Sequence, residues 1–190
     1  MSMTPKLSIL ICSLQARAEM LCGLLDVLYP QLVEPSPVEV LLEVDNGERV
    51  IGGKRNRLLN KSAGQYVCFI DDDDKVPADY VSQILTALDT SPDCVGFNLA
   101  YYVDGNPRGT AIHSLRFDRY GQRRAPGGMM LYERTPNHLN PIRREIALQV
   151  RFPELNHGED SDYAMRIRLL LKTEVFIDRV MYHYLYRSKK

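Results

Sequence analysis

Four consecutive carboxylates, Asp71 to Asp74, follow directly on the run Gln65-Tyr66-Val67-Cys68-Phe69-Ile70. Charges of one sign at this spacing repel unless they are protonated or bound to a cation. Gly64 introduces the run, whose apolar, β-rich composition is that of a strand buried in an α/β sheet. The carboxyl ends of such strands are where open α/β sheets bind their ligands. A divalent metal relieves the repulsion, and oxygen-only ligands suit Mg²⁺ or Mn²⁺, which keep positions open for substrate phosphates. The plainer reading of an acidic run is a solvated loop, but this one abuts a buried strand on one side and a helix start on the other. A calcium loop of the EF-hand type would need Gly at its sixth position and Glu at its twelfth. Counted from Asp71 those positions are Val76 and Ser82, which excludes it.

Other clusters have chemistry of their own. Gly158-Glu159-Asp160-Ser161-Asp162 precedes a helix carrying Tyr163, Ile167, Leu170 and Leu171 at helical spacing. Ser161 and Asp162 read as caps, satisfying free amides and the helix dipole, which leaves Glu159 and Asp160 to face a cleft. Gly52-Gly53-Lys54-Arg55 opens another helix and places amides and cations where a phosphate could sit, although a turn before a solvated basic helix is the commoner meaning. Asp45 lies at a strand end in the turn Asp45-Asn46-Gly47. Arg108, Arg116, Arg119, Arg123 and Arg124 stand against only Asp118, interleaved with His113, Phe117 and Tyr120. That segment is open to three readings, an acceptor-binding loop, a nucleic-acid contact or a solvated hairpin, with the last as the default. His183, within the aromatic run Tyr182 to Tyr186, reads from its neighbours as a packed or exposed strand residue.

The elements that must position these groups alternate through the first half. Leu7 to Cys12 is a strand ending at Ser13 and Leu14, and Leu21, Leu24, Leu25 and Leu28 make a helix face that Pro30 stops. Val38 to Val44 is a second strand, and a short helix with Leu58 and Leu59 closes at Gly64 before the acidic strand. Pro77 fits the first turn of a helix carrying Val81, Ile84, Leu85 and Leu88, which Ser91-Pro92 breaks. Cys94 to Val103 is a strand closed by Asp104-Gly105-Asn106-Pro107. This β-α-β-α-β-α-β order predicts a largely parallel sheet with helices on its faces. Further on, Met129 to Glu133 and Glu174 to Asp178 read as strands, with Asn140-Pro141 as an N-cap and first turn ahead of Ile142, Ile146 and Val150.

At 190 residues the chain is most simply one domain. Lys plus Arg and Asp plus Glu are equal at 24 each, so net charge gives no argument for a polyanionic partner. Cys12, Cys22, Cys68 and Cys94 form no CxxC and read as reduced core thiols of a cytoplasmic protein. No apolar run approaches the ~20 residues of a membrane span, and Met1 to Lys6 does not open a signal peptide.

Taken in order, these pieces resemble the nucleotide-sugar-dependent glycosyltransferases of the GT-A fold, family 2 in particular. The resemblance runs from Leu7 to about Tyr186: a first strand ending near Ser13, Asp45 after the second, Gly52-Gly53-Lys54-Arg55-Asn56, Ala63-Gly64-Gln65-Tyr66 leading into Phe69-Ile70-Asp71-Asp72-Asp73, and the late Glu159-Asp160. It implies a single α/β GT-A domain with a mostly parallel central sheet, residues 1–104 forming a nucleotide-sugar-binding half and 105–190 an acceptor and catalytic half. By position, Ser13 and Asp45 would hold base and ribose, and Lys54 or Arg55, next to Asn56, would approach the phosphates. Asp71 and Asp73 would be the DxD pair on Mn²⁺ or Mg²⁺, with Asp72 between them in the nucleotide-sugar site. Asp160, or Glu159 beside it, would be the general base, and His183 a late metal ligand. The implied reaction is a single displacement with inversion, from a nucleotide-diphosphate sugar to the hydroxyl of a saccharide, a lipid-linked sugar or a modified DNA base. Four successive aspartates leave the DxD register open, and the chain has little room for an elaborate acceptor domain. A nucleotidyltransferase of related fold is the nearest rival, although Cys12-Ser13-Leu14-Gln15 stands where its Gly-rich loop belongs. A non-catalytic metal- or nucleotide-binding module is the other.

Overall fold

A computed structural model of the chain describes residues 4–33 and 36–188. Met1 to Met3, part of the amino-terminal stretch read above, lie outside them. The first half alternates as its apolar periods require: β1 (Leu7–Leu14), α1 (Ala18–Leu28), β2 (Val38–Asp45), α2 (Ile51–Lys61), β3 (Tyr66–Phe69), α3 (Tyr80–Ala87) and β4 (Cys94–Val103). The second half is strand-rich, with β5 (Asn106–His113), β6 (Gly121–Arg124), β7 (Met130–Arg134), β8 (Ile142–Arg143), the short helices α4 (Arg144–Ala147) and α5 (Glu159–Ile167), and a long β9 (Glu174–Tyr186). No helix among the described residues is long and apolar enough to cross a membrane.

Side-chain alternation along the central strands builds two cores, one on each face of the sheet. Leu7, Ile9 and Ile11 of β1 and Tyr66 and Cys68 of β3 pack with Leu21, Leu24 and Leu28 of α1 and Val81 and Ile84 of α3. Leu10, Cys12, Val67 and Phe69 point the other way, onto Leu58 and Leu59 of α2 and Tyr163 and Ile167 of α5. Burial on both faces fixes the register, and with it the rim on which the strand ends lie. β2, β1 and β3 run parallel, with Leu14 paired to Asp45 and Leu10 to Phe69, so Ser13, Asp45 and the aspartate run share that rim.

The sheet is mixed, which corrects the expectation of a mostly parallel one. Its order is β2-β1-β3-β8-β4-β5-β7-β6, with β9 on β4. Two-residue β8 wedges antiparallel between β3 and β4, and β5 returns antiparallel along β4. Asp104 (φ 50°) and Gly105 (φ 78°) make that reversal as a tight hairpin, whose two central residues both need positive φ. Asn140 is therefore no helix cap. Its side-chain oxygen accepts the Asn137 N–H and its amide donates to the Val95 carbonyl, which holds the 137–143 segment in the gap. Pro77 also lies before, not in, its helix, with its carbonyl accepting the Tyr80 N–H. Cys12, Cys68 and Cys94 are buried free thiols as expected, and Cys22 is exposed.

Candidate functional site

The aspartate run leaves β3 in a tight turn, the Asp74 N–H donating to the Asp71 carbonyl, and Lys75 then exchanges two backbone hydrogen bonds with His183 of β9. The four carboxylates separate by environment. Asp72 is 1 % exposed and Asp74 4 %, whereas the side chains of Asp71 and Asp73 are 30 % and 29 % exposed. Of the four, Asp71 and Asp73 turn substantial carboxylate surface to the solvent. Asp72 accepts the Ser13 hydroxyl at 2.6 Å and pairs with Arg17 at 2.9 Å. Burial raises its pKa, against the opposing pull of Ser13 and Arg17. Asp74 accepts the Tyr182 hydroxyl (2.9 Å) and the Leu185 N–H (2.7 Å), and burial, reinforced by the charge of Asp71, pushes its carboxyl up to about 8. Arg17 bridges Asp72 and Asp73.

Arg55 is the buried hub beneath them. Its guanidinium donates to Glu159 Oε1 (2.6 Å) and Asp71 Oδ1 (3.1 Å), lies 3.0 Å from His138 Nε2, and sits over the rings of Phe69 and Phe152. Burial alone would raise Asp71, but His138 and Arg55 outweigh it and hold the carboxyl well below the usual range. Glu159 is thus committed to Arg55. Asp160, one residue on, lines a cavity and has no ion-pair partner among the described residues. Gly158 is the N-cap of α5, and its φ of 80° suits a residue without Cβ. The cap expected at Ser161 and Asp162 therefore lies a turn earlier, and Asp162 pairs with Arg166 across one turn of the helix.

Several expected nucleotide contacts are held within the protein. Lys54 Nζ donates to Asp45 Oδ1 (2.7 Å) and the Ser13 carbonyl (2.9 Å), locking the ends of β1 and β2 together. Asp45 also accepts the Gly47 and Arg49 N–H groups; the Lys54 bond, first among these contacts, lowers its pKa. Asn56 makes both its amide bonds to the Phe152 backbone at 2.9 Å. Nor do the glycines cradle a phosphate. A Cβ on Gly52 would lie 1.9 Å from the Pro153 carbonyl oxygen, and the first amides of α2 donate to Asn156 and Leu155. His183 is not brought to the aspartates: its ring packs against Tyr102 on the far side of β9. Tyr184 lines the cleft in its place.

Two cavities meet over this hub. One, about 710 Å³, runs past Ser13, Arg17, Arg49, Asp71, Asp73 and Arg187. The other, about 510 Å³, runs past Asp160, Tyr120, Tyr132, Arg134 and His138. Arg55, Asp71, Glu159 and Tyr184 line both. Among the described residues no three His, Cys, Asp or Glu side chains converge as a metal site. Two cleft-facing carboxylates fit a hard cation that takes the rest of its shell from a diphosphate and water. Arg17 and His138 carry no motif signal. The only hint is position, Arg17 on the loop leaving β1 and His138 in the turn-rich Asn137-His138-Leu139-Asn140.

The profile of the family described as Glycosyl transferase family 2 matches residues 28–171. EpsH of Bacillus subtilis strain 168, itself a glycosyltransferase by assignment, is 25 % identical over 172 residues, covering 79 % of this chain and 48 % of EpsH. The chain thus spans about half the length of that relative. Among solved structures, S. aureus TarS 1-349 in complex with UDP superposes with a TM-score of 0.71 at 19 % identity, over 95 % of this chain and 60 % of that one. The mannosyltransferase PcManGT from Pyrobaculum calidifontis, in complex with GDP-Man and Mn²⁺, gives 0.59 at 16 %, over 96 % and 57 %. At these identities the two structures establish the shared fold.

Proposed function

The chain belongs to glycosyl transferase family 2, and from that membership we propose that it moves a sugar from a nucleotide-diphosphate donor to an acceptor hydroxyl with inversion at the anomeric carbon. One observation carries this reading: the cleft that exposes Asp71 and Asp73 and the cavity that exposes Asp160 join at Asp71 and Arg55. A donor diphosphate belongs in the first, where Arg17, Arg49 and Arg187 supply positive charge. Asp71 and Asp73 would hold Mg²⁺ or Mn²⁺, which when bound offsets the charge gathering on the departing diphosphate. Asp160 takes the proton of the acceptor hydroxyl as its oxygen bonds to the anomeric carbon and the bond to the diphosphate breaks. Arg55 holds Glu159 and Asp71 in place through its two ion pairs, acting through them rather than on substrate. The complexes of the structural relatives, with UDP and with GDP-Man, support the donor class.

A screen of UDP-, GDP- and dTDP-sugars with Mn²⁺, with water standing in for the acceptor, tests the reaction class. The expected products are free sugar and nucleoside diphosphate from one donor series. Pyrophosphate release from a nucleoside triphosphate, with every sugar donor left intact, assigns the site to nucleotidyl transfer instead.

A further inference from the structure

Beyond the cavity at Asp160 the sheet carries another hollow, about 720 Å³, bounded by Tyr101, Tyr132, Arg108, Arg124 and the loop that leads into β7. The two are neighbours, with Tyr101 and Tyr132 lining both. Strand alternation explains this: Leu99, Tyr101 and Val103 of β4 fall on the same face as Met130, Tyr132 and Arg134 of β7. Tyr101 meets Tyr132 edge-on at 5.6 Å and stacks on Tyr184 at 5.5 Å, so phenol rings floor the path outward from the reaction centre. Gly109 lets the strands beneath approach, since a Cβ there would lie 2.1 Å from the Met130 carbonyl oxygen.

The outer hollow is charged with one sign. Arg108 and Arg124 line it, and no residue lining it is acidic. Arg124 makes one long bond, 3.4 Å, to the Gly128 carbonyl. Arg108 has no hydrogen-bond or ion-pair partner among the described residues, although its charge is felt by Asp104. The other arginines of this segment behave differently. Arg123 pairs with Glu133, and Arg116 lies over Phe117 and Phe176 beside a hollow on the opposite face of the sheet. The arginine-rich stretch therefore does not form the continuous basic track that a nucleic acid backbone would need.

We infer that the acceptor is an anionic saccharide of at least two units, with one ring stacked on the floor of Tyr101 and Tyr132 and a carboxylate or phosphate of the outer unit docked between Arg108 and Arg124. This rests on the sugar-transfer reading of the site and adds the acceptor's class to it. An aromatic face suits the C–H face of a pyranose, and a guanidinium fork matches either anion.

Binding is measured by NMR titration at low salt with maltotriose, trigalacturonic acid, a maltotriose bearing a terminal 6-phosphate, and a hexathymidylate. At least one anionic trisaccharide is expected to bind about tenfold tighter than maltotriose, and the Arg108→Ala/Arg124→Ala variant, with an unchanged melting temperature, to lose that advantage. The two anionic probes tell carboxylate from phosphate. Equal or undetectable binding of all three saccharides overturns the inference, as does an advantage that survives in the double variant. Tighter binding of hexathymidylate, abolished in the same variant, replaces it with a nucleic-acid acceptor. Nucleoside diphosphate binding by the wild-type protein is recorded alongside. If that binding is present while the anionic preference is absent, only the acceptor class falls.

Discussion

Asp160→Asn lowers turnover of the sugar donor by about 10²–10⁴-fold and leaves nucleoside diphosphate affinity unchanged, the range expected on losing a general base. The two neighbouring carboxylates are partnered differently. Glu159 is buried and ion-paired with Arg55 at 2.6 Å. Among the described residues Asp160 accepts only the Ser161 backbone N–H and hydroxyl, both through Oδ1, and it lines the cavity at Tyr120 but not the cleft at Asp73. The isosteric amide keeps the contact to Ser161 and cannot take a proton. Steady-state turnover at saturating donor, with nucleotide affinity by calorimetry, separates the two effects. Unchanged turnover would remove Asp160 from the role.

Arg55→Met costs about 3–5 kcal/mol of stability, because it leaves buried Glu159 without its cation and Asp71 with His138 alone. For a chain of this size that is a fall in melting temperature of roughly 6–20 °C. The sign of the pH dependence follows from Asp71. Its pKa is depressed in the folded protein, so its contribution to stability is present above the unfolded value of about 3.9 and is lost as pH falls through the folded one. The gap between wild type and variant is therefore widest near neutrality and narrows below about pH 4. Thermal melts across pH 3 to 8 check this, roughly bracketing the unfolded carboxylate range. A gap that stays constant with pH would mean that Arg55 acts through packing on Phe69 and Phe152 alone.

The first half of the fold was legible because its strands are apolar on both faces and its helices carry clean stripes. Leu7 to Leu14, Val38 to Asp45 and Cys94 to Val103 follow those patterns closely. The strand order was not legible. Ile142-Arg143 is too short to carry a strand period, and β5 opens Asn106-Pro107-Arg108-Gly109, a composition that reads as loop until β4 offers it a partner. Asp71, Asp73 and Asp160 stood out as candidates, and line the two cavities, because a carboxylate at the end of a buried strand or in a helix's first turn needs a reason to be there. Lys54 and Asn56 show a different limit of the sequence. Residue type does not say whether a cation or amide bonds a ligand or the protein's own carboxylate and backbone; here Lys54, on the lining of the cleft, bonds Asp45, and Asn56 bonds the Phe152 backbone. His183 illustrates the period of two. One residue along β9 exchanges the face toward Tyr102 for the cleft, and Tyr184 has the cleft.

The most direct test of the account is calorimetric titration of the wild-type protein and Asp73→Asn with UDP and with GDP, each with and without Mn²⁺. Two protein carboxylates and a substrate diphosphate sharing one ion predict that one nucleotide binds the wild type, and only when Mn²⁺ is present. Mn²⁺ alone should bind weakly, and Asp73→Asn should abolish the metal-dependent binding. Equal nucleotide affinity with and without the ion, or full retention of that binding in Asp73→Asn, would contradict it.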